Sequence, residues 1–275
     1  MGFTRAVAGA AIMALAYGAP ARAQDTLKAA IGQINNWENQ APQLGQDAGI
    51  FSKHNLKIES FGTAGAGETL QAVISGSADI GIGVGTAGVM RAFTKGAPVR
   101  LLLPGFTGTS DLYWYVKSDS PIKTLKDTAG KTLAYSTNGS STHGIVSAFM
   151  KEYGLTAKPT ATGGPPGTLT QVMSGQIDVG WAAPPFGLDQ LDQKQIRIIA
   201  SGNDAAAFKG QTVRLNMTTA PVLQAKKDAI TRYMKAYRET IDFMYTDEGL
   251  KVYADWLNIP IEKARRTRDD FFPKA

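Results

Sequence analysis

No cysteine occurs among the 275 residues, and only two histidines do, His54 and His143. Without cysteine there is no disulfide, so the fold must hold by burial alone, and a lipid anchor on a mature N-terminal cysteine is excluded. Metal-ligand spacings such as HExxH are missing, as is the GxSxG nucleophile elbow. Hydrolytic and metal-dependent chemistry therefore lack their usual residues. Long blocks of one charge are also missing; Arg265-Arg266 is the densest cluster, and nucleic-acid binding has no support beyond a mild basic balance.

Long apolar runs are confined to the first residues, which also contain no acid. Arg5 gives a positive start, Ala6 to Gly18 an apolar stretch, and Ala21-Arg22-Ala23 a small-residue cleavage site. That pattern predicts a cleavable export signal over 1–23, too short for a span of about 20 residues. Its removal takes two arginines, so Lys+Arg falls from 29 to 27 against 23 acids and the formal charge from +6 to +4. The expectation is a free periplasmic protein, monomeric, with no lipid anchor and no stable membrane insertion.

Two stretches of the chain repeat each other. Residues 69–81 read TLQAVISGSADIG and residues 168–180 read TLTQVMSGQIDVG. Seven of the thirteen positions agree, where chance at ordinary composition gives roughly one. In both, a short apolar-periodic segment stops at Gly, and Asp then opens an apolar run suited to a buried strand. The like offset continues weakly upstream, with Leu56 over Leu155. A unit too long for a solenoid, used twice, predicts two lobes of like topology. Asp79 and Asp178 read as structural, fixing the turn before each strand.

Strands alternate with helices along the rest. LKAAIG (27–32), LKIESF (56–61), 80–84 and 99–103 read as strands, with helices over 37–47, 66–75 and 86–94. The aromatic strand LYWYV (112–116) marks the first crossing between lobes. Strands over 131–135, 177–181 and 196–200 then enclose a helix from Gly139 to Tyr153. Thr212–Thr218 is the returning strand, followed by helices that lack a repeat partner and buttress the first lobe. The expectation is α/β, with lobe 1 over 24–108 and 212–275 and lobe 2 over 109–211.

GIFSKHNLKIE, SGSADIG, SPIKTLKDTAGKTLAYSTNGSSTHG and SGQIDVGWAAPPF, in this order, resemble the periplasmic substrate-binding proteins of the nitrate/sulfonate/taurine and thiamine-pyrimidine type. The likeness covers almost the whole mature chain. It implies a type II-like periplasmic binding fold, with two α/β lobes, two crossing segments and a cleft between them. It also implies capture of a small organic or anionic ligand, delivery to an ABC permease with its ATPase subunit, and no enzymatic activity, cofactor or metal. The alternative is a ligand-sensing protein that signals to a membrane partner. Two departures stand out. Sulfonate binders often carry an acid where Ala183 precedes Pro184-Pro185-Phe186, and the iron-binding cysteine motif of the pyrimidine-making branch is absent.

Ligands of open α/β sheets sit where strands end and helices begin. Gly139-Ser140-Ser141-Thr142 offers backbone N–H groups and hydroxyls for an anionic head, alongside plain N-capping. His143 reads as solvated. Gly65-Ala66-Gly67-Glu68 opens the corresponding helix. There Glu68 either stabilises its own helix or meets an amine or ring N–H of the ligand. Asn36 and Trp37, Thr86, and Pro184 and Phe186 complete the candidate set, with Trp37, Trp181 and Phe186 as possible aromatic walls. Gly83-Val84-Gly85-Thr86-Ala87-Gly88 matches GxGxxG. Its helix is short and no acid follows about 20 residues on, which argues against a dinucleotide site.

Overall fold

The computed structural model describes residues 24–274, so the expected export signal lies outside the described residues. Ten strands are formed: β1 Asp25–Gly32, β2 Leu56–Thr63, β3 Ile80–Gly85, β4 Val99–Thr107, β5 Tyr113–Lys117, β6 Thr132–Tyr135, β7 Lys158–Ala161, β8 Gly180–Ala182, β9 Ile196–Ser201 and β10 Thr212–Thr219. In lobe 1 the order is β2-β1-β3-β10-β4. In lobe 2 the pairs β6-β7 and β8-β5-β9 are joined by a parallel bridge between Leu133 and Val179. Read across that bridge, the second sheet runs β7-β6-β8-β5-β9, the first order repeated. The expected two lobes of like topology are present, each with four parallel strands and one antiparallel strand.

The strand that completes each sheet arrives from the other lobe. β4 leaves lobe 1 at its edge, and the chain crosses to insert β5 between β8 and β9. β9 leaves lobe 2, and the chain crosses back to insert β10 between β3 and β4. The two crossings run side by side. Gly108 N–H donates to the Gln211 carbonyl at 2.8 Å, and the Thr109 hydroxyl to Asn203 Oδ1 at 3.1 Å.

The repeat is scaffolding in both lobes. The hydroxyls of Thr63 and Thr69 lie 2.8 Å apart and those of Thr162 and Thr168 2.7 Å apart, each the same offset along the chain. Thr69 and Thr168 also donate to the carbonyls of Gly65 and Gly164. Asp79 and Asp178 act between strands rather than within their own turns. Asp79 accepts from the Lys28 N–H and Asp178 from the Thr132 N–H, both at 2.9 Å, so Asp79 ties the start of β3 to β1 and Asp178 the start of β8 to β6.

Burial follows the sequence pattern. β3 is buried along its whole length, as a central strand covered on both faces requires. The helix Lys227–Met244 turns Ile230, Tyr233, Tyr237 and Met244 inward at helical spacing and packs with Phe51 and Leu44 into the lobe 1 core. The tail beyond it is part of that core through Leu250, Tyr253 and Phe272. Two elements differ from expectation. Pro42 lacks an N–H and suits a first helical turn, so the helix begins at Ala41 and Trp37–Asn39 form a separate 3-10 turn. β7, KPTA, is not expected as a strand; it is a largely exposed edge strand containing Pro159, without apolar alternation.

Candidate functional site

The two lobes meet with backbone against backbone. Gly67 N–H, at the start of the helix Ala66–Ile74, donates to the Thr137 hydroxyl across the cleft at 3.0 Å. A Cβ on Gly67 would stand 2.2 Å from the Asn138 carbonyl oxygen, and one on Gly88 would stand 2.4 Å from that of Gly139. A Cβ on Gly85 would stand 2.8 Å from the Gly139 carbonyl oxygen and 2.9 Å from the Ser141 nitrogen, while Gly83, at φ +66°, sits against Asn39. The GxGxxG glycines therefore serve close approach: Gly85 and Gly88 to the lobe 2 loop, Gly83 to Asn39. Ion pairs close the outer rim, Lys263 to Asp189 at 2.6 Å and Arg266 to Asp192 at 2.9 Å.

Between the lobes lies a cavity of about 10 Å³, the room of one water. Lobe 1 lines it with Gln33, Glu38, Asn39, Ala66 and Arg214, lobe 2 with Ser136, Ser140, Ser141 and Thr142. Ser140 caps the helix Ser141–Glu152 by accepting from the His143 N–H at 3.1 Å. Thr142 Oγ1 lies 2.9 Å from Ser140 Oγ and accepts from the Ser136 N–H at 2.9 Å. His143 is half-buried: its ring stacks on Tyr135 and its Nδ1 accepts from the Gly139 N–H, while burial and then Arg91 hold its pKa below the ordinary value. A second chamber of about 230 Å³ shares Ser140 and Ser141 and adds Thr86, Met90, Phe208 and Val213.

The charged part of the cavity stands on three residues far apart in sequence. Arg214 is the third residue of β10, Asp111 ends the first crossing and Glu38 sits in the turn after β1. Arg214 donates bidentately to Asp111, from Nη2 at 2.6 Å and from Nη1 at 2.7 Å. The guanidinium also lies over the Phe106 ring, 4.8 Å from its centre. Glu38 Oε1 is 2.8 Å from Nη1, an ion-pair distance, but lacks the alignment of a hydrogen bond; neither Glu38 oxygen has a hydrogen-bond partner. Burial pushes the Glu38 carboxyl up to about 8, against the pull of Arg214 and with the push of Asp111. Burial works to lower the Arg214 pKa, but Asp111 and Glu38 raise it above its ordinary value.

The sequence candidates fall into three groups. Ala66, Ser140, Ser141 and Thr142 line the inner cavity, and Thr86 lines the adjoining chamber. Gly65 and Gly67 lie on the lobe contact, and Glu68 is exposed, its carboxylate accepting from the Ala64 N–H at 3.0 Å. The remaining candidates lie elsewhere. Asn36 is buried beside Gln33, to which its Nδ2 donates at 2.9 Å. Trp37 is buried in the lobe 1 core, edge-on to Tyr245 and Tyr253, and Trp181 in the lobe 2 core. Pro184 is buried and Phe186 half-buried, the latter lining a separate groove with Asn35, Leu257 and Ile259. Gln33, Glu38, Asn39, Asp111 and Arg214 escaped sequence reasoning. Only Gln33 carried a signal, as a polar residue directly beyond the first strand.

Among the described residues no helix is long and apolar enough to cross a membrane, and no cluster of three or more His, Asp or Glu could hold a metal. No curated protein is significantly similar in sequence. Solved structures are similar in fold. The alkanesulfonate-binding protein SsuA from Xanthomonas axonopodis pv. citri, bound to MOPS, superposes with a TM-score of 0.76 at 19% identity, covering 90% of this chain and 84% of that one. The periplasmic aliphatic sulphonate-binding protein SsuA from Escherichia coli gives 0.70 at 19%, covering 91% and 85%. The periplasmic nitrate-binding protein NrtA from Synechocystis PCC 6803 gives 0.68 at 16%, covering 88% and 70%. The "NMT1/THI5 like" family model matches residues 23–248, and the chain belongs to that family.

Proposed function

We propose that the protein is the periplasmic solute-capturing component of an ABC importer, closing two lobes on a small organic solute and presenting it to a permease with its ATPase subunit. The observation that carries this reading is a polar cavity lined by both lobes of a fold whose halves are joined only by two adjacent crossings. Such an arrangement lets a solute bridge the lobes and select the closed form by its differential affinity. The fold likeness to sulfonate- and nitrate-binding periplasmic proteins supports it. Export through the segment 1–23 would place the protein beside the permease.

A thermal-shift screen over small sulfonates, carboxylates, amines and aminopyrimidines tests the reading, with X-ray scattering to follow compaction. A solute at 100 times its Kd raises stability by about 2.7 kcal/mol. A clear rise in Tm with a fall in radius of gyration is expected for at least one compound. No shift by any compound, and none co-purifying, overturns the reading.

A further inference from the structure

We propose that His143 is a proton-sensitive fastener of the closed form: neutral, it holds the lobe 2 loop that meets lobe 1, and protonated, it lets the lobes part. This rests on the lobe-closing reading above and adds to it a control by pH that does not depend on which solute is bound.

The case begins with the loop Thr137–Gly139, the lobe 2 side of the backbone contact. Thr137 accepts from the Gly67 N–H, and the carbonyls of Asn138 and Gly139 stand against Gly67 and Gly88 with no room for a Cβ. Two side chains tie this loop from behind. The Tyr135 hydroxyl donates to Asn138 Oδ1 at 2.8 Å, and the Gly139 N–H donates to His143 Nδ1 at 3.1 Å. The Tyr135 and His143 rings stack, 4.5 Å between centres. Nδ1 accepts only while it carries no proton, so the neutral imidazole is the form that fits.

Charge points the same way. His143 is the third residue of the helix Ser141–Glu152, where the positive end of the helix dipole opposes a cation. Arg91, on the lobe 1 helix Thr86–Thr94, adds a positive charge from across the contact. Parting the lobes removes Arg91, so the open form takes up the proton more readily. The closed form therefore loses ground as pH falls through the ordinary histidine range, near 6.5. Arg91 and Tyr135 are the charged and titratable groups that face the ring, while the second crossing presents Phe208 to the neighbouring Gly144. Glu38 acts with the opposite sign, since its burial favours the protonated carboxyl. His54 pairs with Glu239 within lobe 1 and does not span the contact.

Titration of the mature full-length chain without solute tests this. The chain has no cysteine, so dyes on Gln71→Cys and Lys151→Cys, both exposed and one in each lobe, report the lobe distance by energy transfer. With two histidines in the chain, the imidazole signals of His54 and His143 are told apart by NMR of His143→Asn. A tenfold difference in proton affinity between the forms changes their ratio by up to about tenfold. From about pH 7.5 to about pH 5 the closed-to-open ratio of wild type is expected to fall by about 3-fold or more, in step with protonation of His143. His143→Asn, which sets an amide oxygen where Nδ1 accepts but does not titrate, should stay closed throughout. Should that variant not fold, Arg91→Gln, at an exposed position, decides: it should raise the His143 midpoint and lessen the opening, and anything less overturns the fastener. Equal opening of wild type and His143→Asn, or protonation of His143 with no change in distance, overturns it too. A distance that responds to a solute from the thermal-shift screen but not to pH leaves the lobe-closing reading standing alone. A distance that neither solute nor pH alters overturns both.

Discussion

Glu38 makes stability depend on pH in the direction opposite to an ordinary ion-paired acid. Its folded pKa is raised from 4.5 to about 8, so between those values the folded chain holds a proton that the unfolded chain has released. Stability from this group is therefore complete below about pH 4.5 and is lost as pH rises toward 8. The charged and titratable groups around it are Arg214, Asp111 and Tyr237. In Glu38→Gln this slope should vanish. Melting of the ligand-free pair, followed from pH 5 to 8.5, is expected to show wild type losing Tm relative to the variant as pH rises. Parallel profiles would mean that the carboxyl is ionised throughout.

This acid also shows why the site was only half legible in the sequence. Ser140–Thr142 could be read because a Gly-Ser-Ser-Thr run after a strand is a helix start wherever it occurs. Glu38 could not, because its burial depends on Asp111, on the first crossing, and on Arg214, which comes only after the chain has crossed between lobes twice. Glu68, read either as stabilising its own helix or as meeting the ligand, lies at a helix start as expected, and its carboxylate accepts from the nearby Ala64 N–H. Trp37 follows a strand end like a cleft residue, yet the C-terminal helices bring Tyr245 and Tyr253 around it and draw it into the core.

At the scale of elements, the helices beginning at Ala66 and Thr86 are built for contact with the opposite lobe. Gly67 and Gly88 lie in their first turns, and neither has a positive φ. Alanine at either position should leave lobe 1 unharmed, or steady its helix by up to about 1 kcal/mol. The added Cβ meets its obstacle only across the cleft, and overpacking costs about 1–3 kcal/mol, here borne by the closed form alone. Gly67→Ala and Gly88→Ala are thus expected to keep or raise the ligand-free Tm, to weaken solute binding by about 5- to 150-fold, and to show a larger radius of gyration. A fall in Tm with unchanged affinity would place these contacts outside the closing motion. The elements were the most readable level of the sequence. Alternation and the repeated Thr-Leu and Gly-Asp positions are local signals, whereas β7 and the broken turn at Trp37–Gln40 depend on where Pro159 and Pro42 remove a donor.

At the scale of the molecule, the two lobes are not equal partners. Lobe 2 draws all its strands, β5 to β9, from one continuous run, while lobe 1 is interrupted between β4 and β10. Those two strands are antiparallel neighbours, with Thr107 opposite Thr212, and Gly108 N–H meets the Gln211 carbonyl directly beyond them. Topologically, β4 and β10 are a hairpin whose loop is an entire lobe. Loop-closure cost grows only slowly with length, so a loop of this size is tolerable, and a short one should serve the hairpin as well. Replacing 109–210 by a two-residue Asn-Gly turn should therefore leave a folded lobe 1 with its five-stranded order intact, measurable as a cooperative melt, and without solute binding. An unfolded product would show that the Arg214–Asp111 pair, cut by this deletion, holds the sheet together as well as the hinge. One lobe is the protein's body, and the other is a clasp carried at the tip of a ribbon.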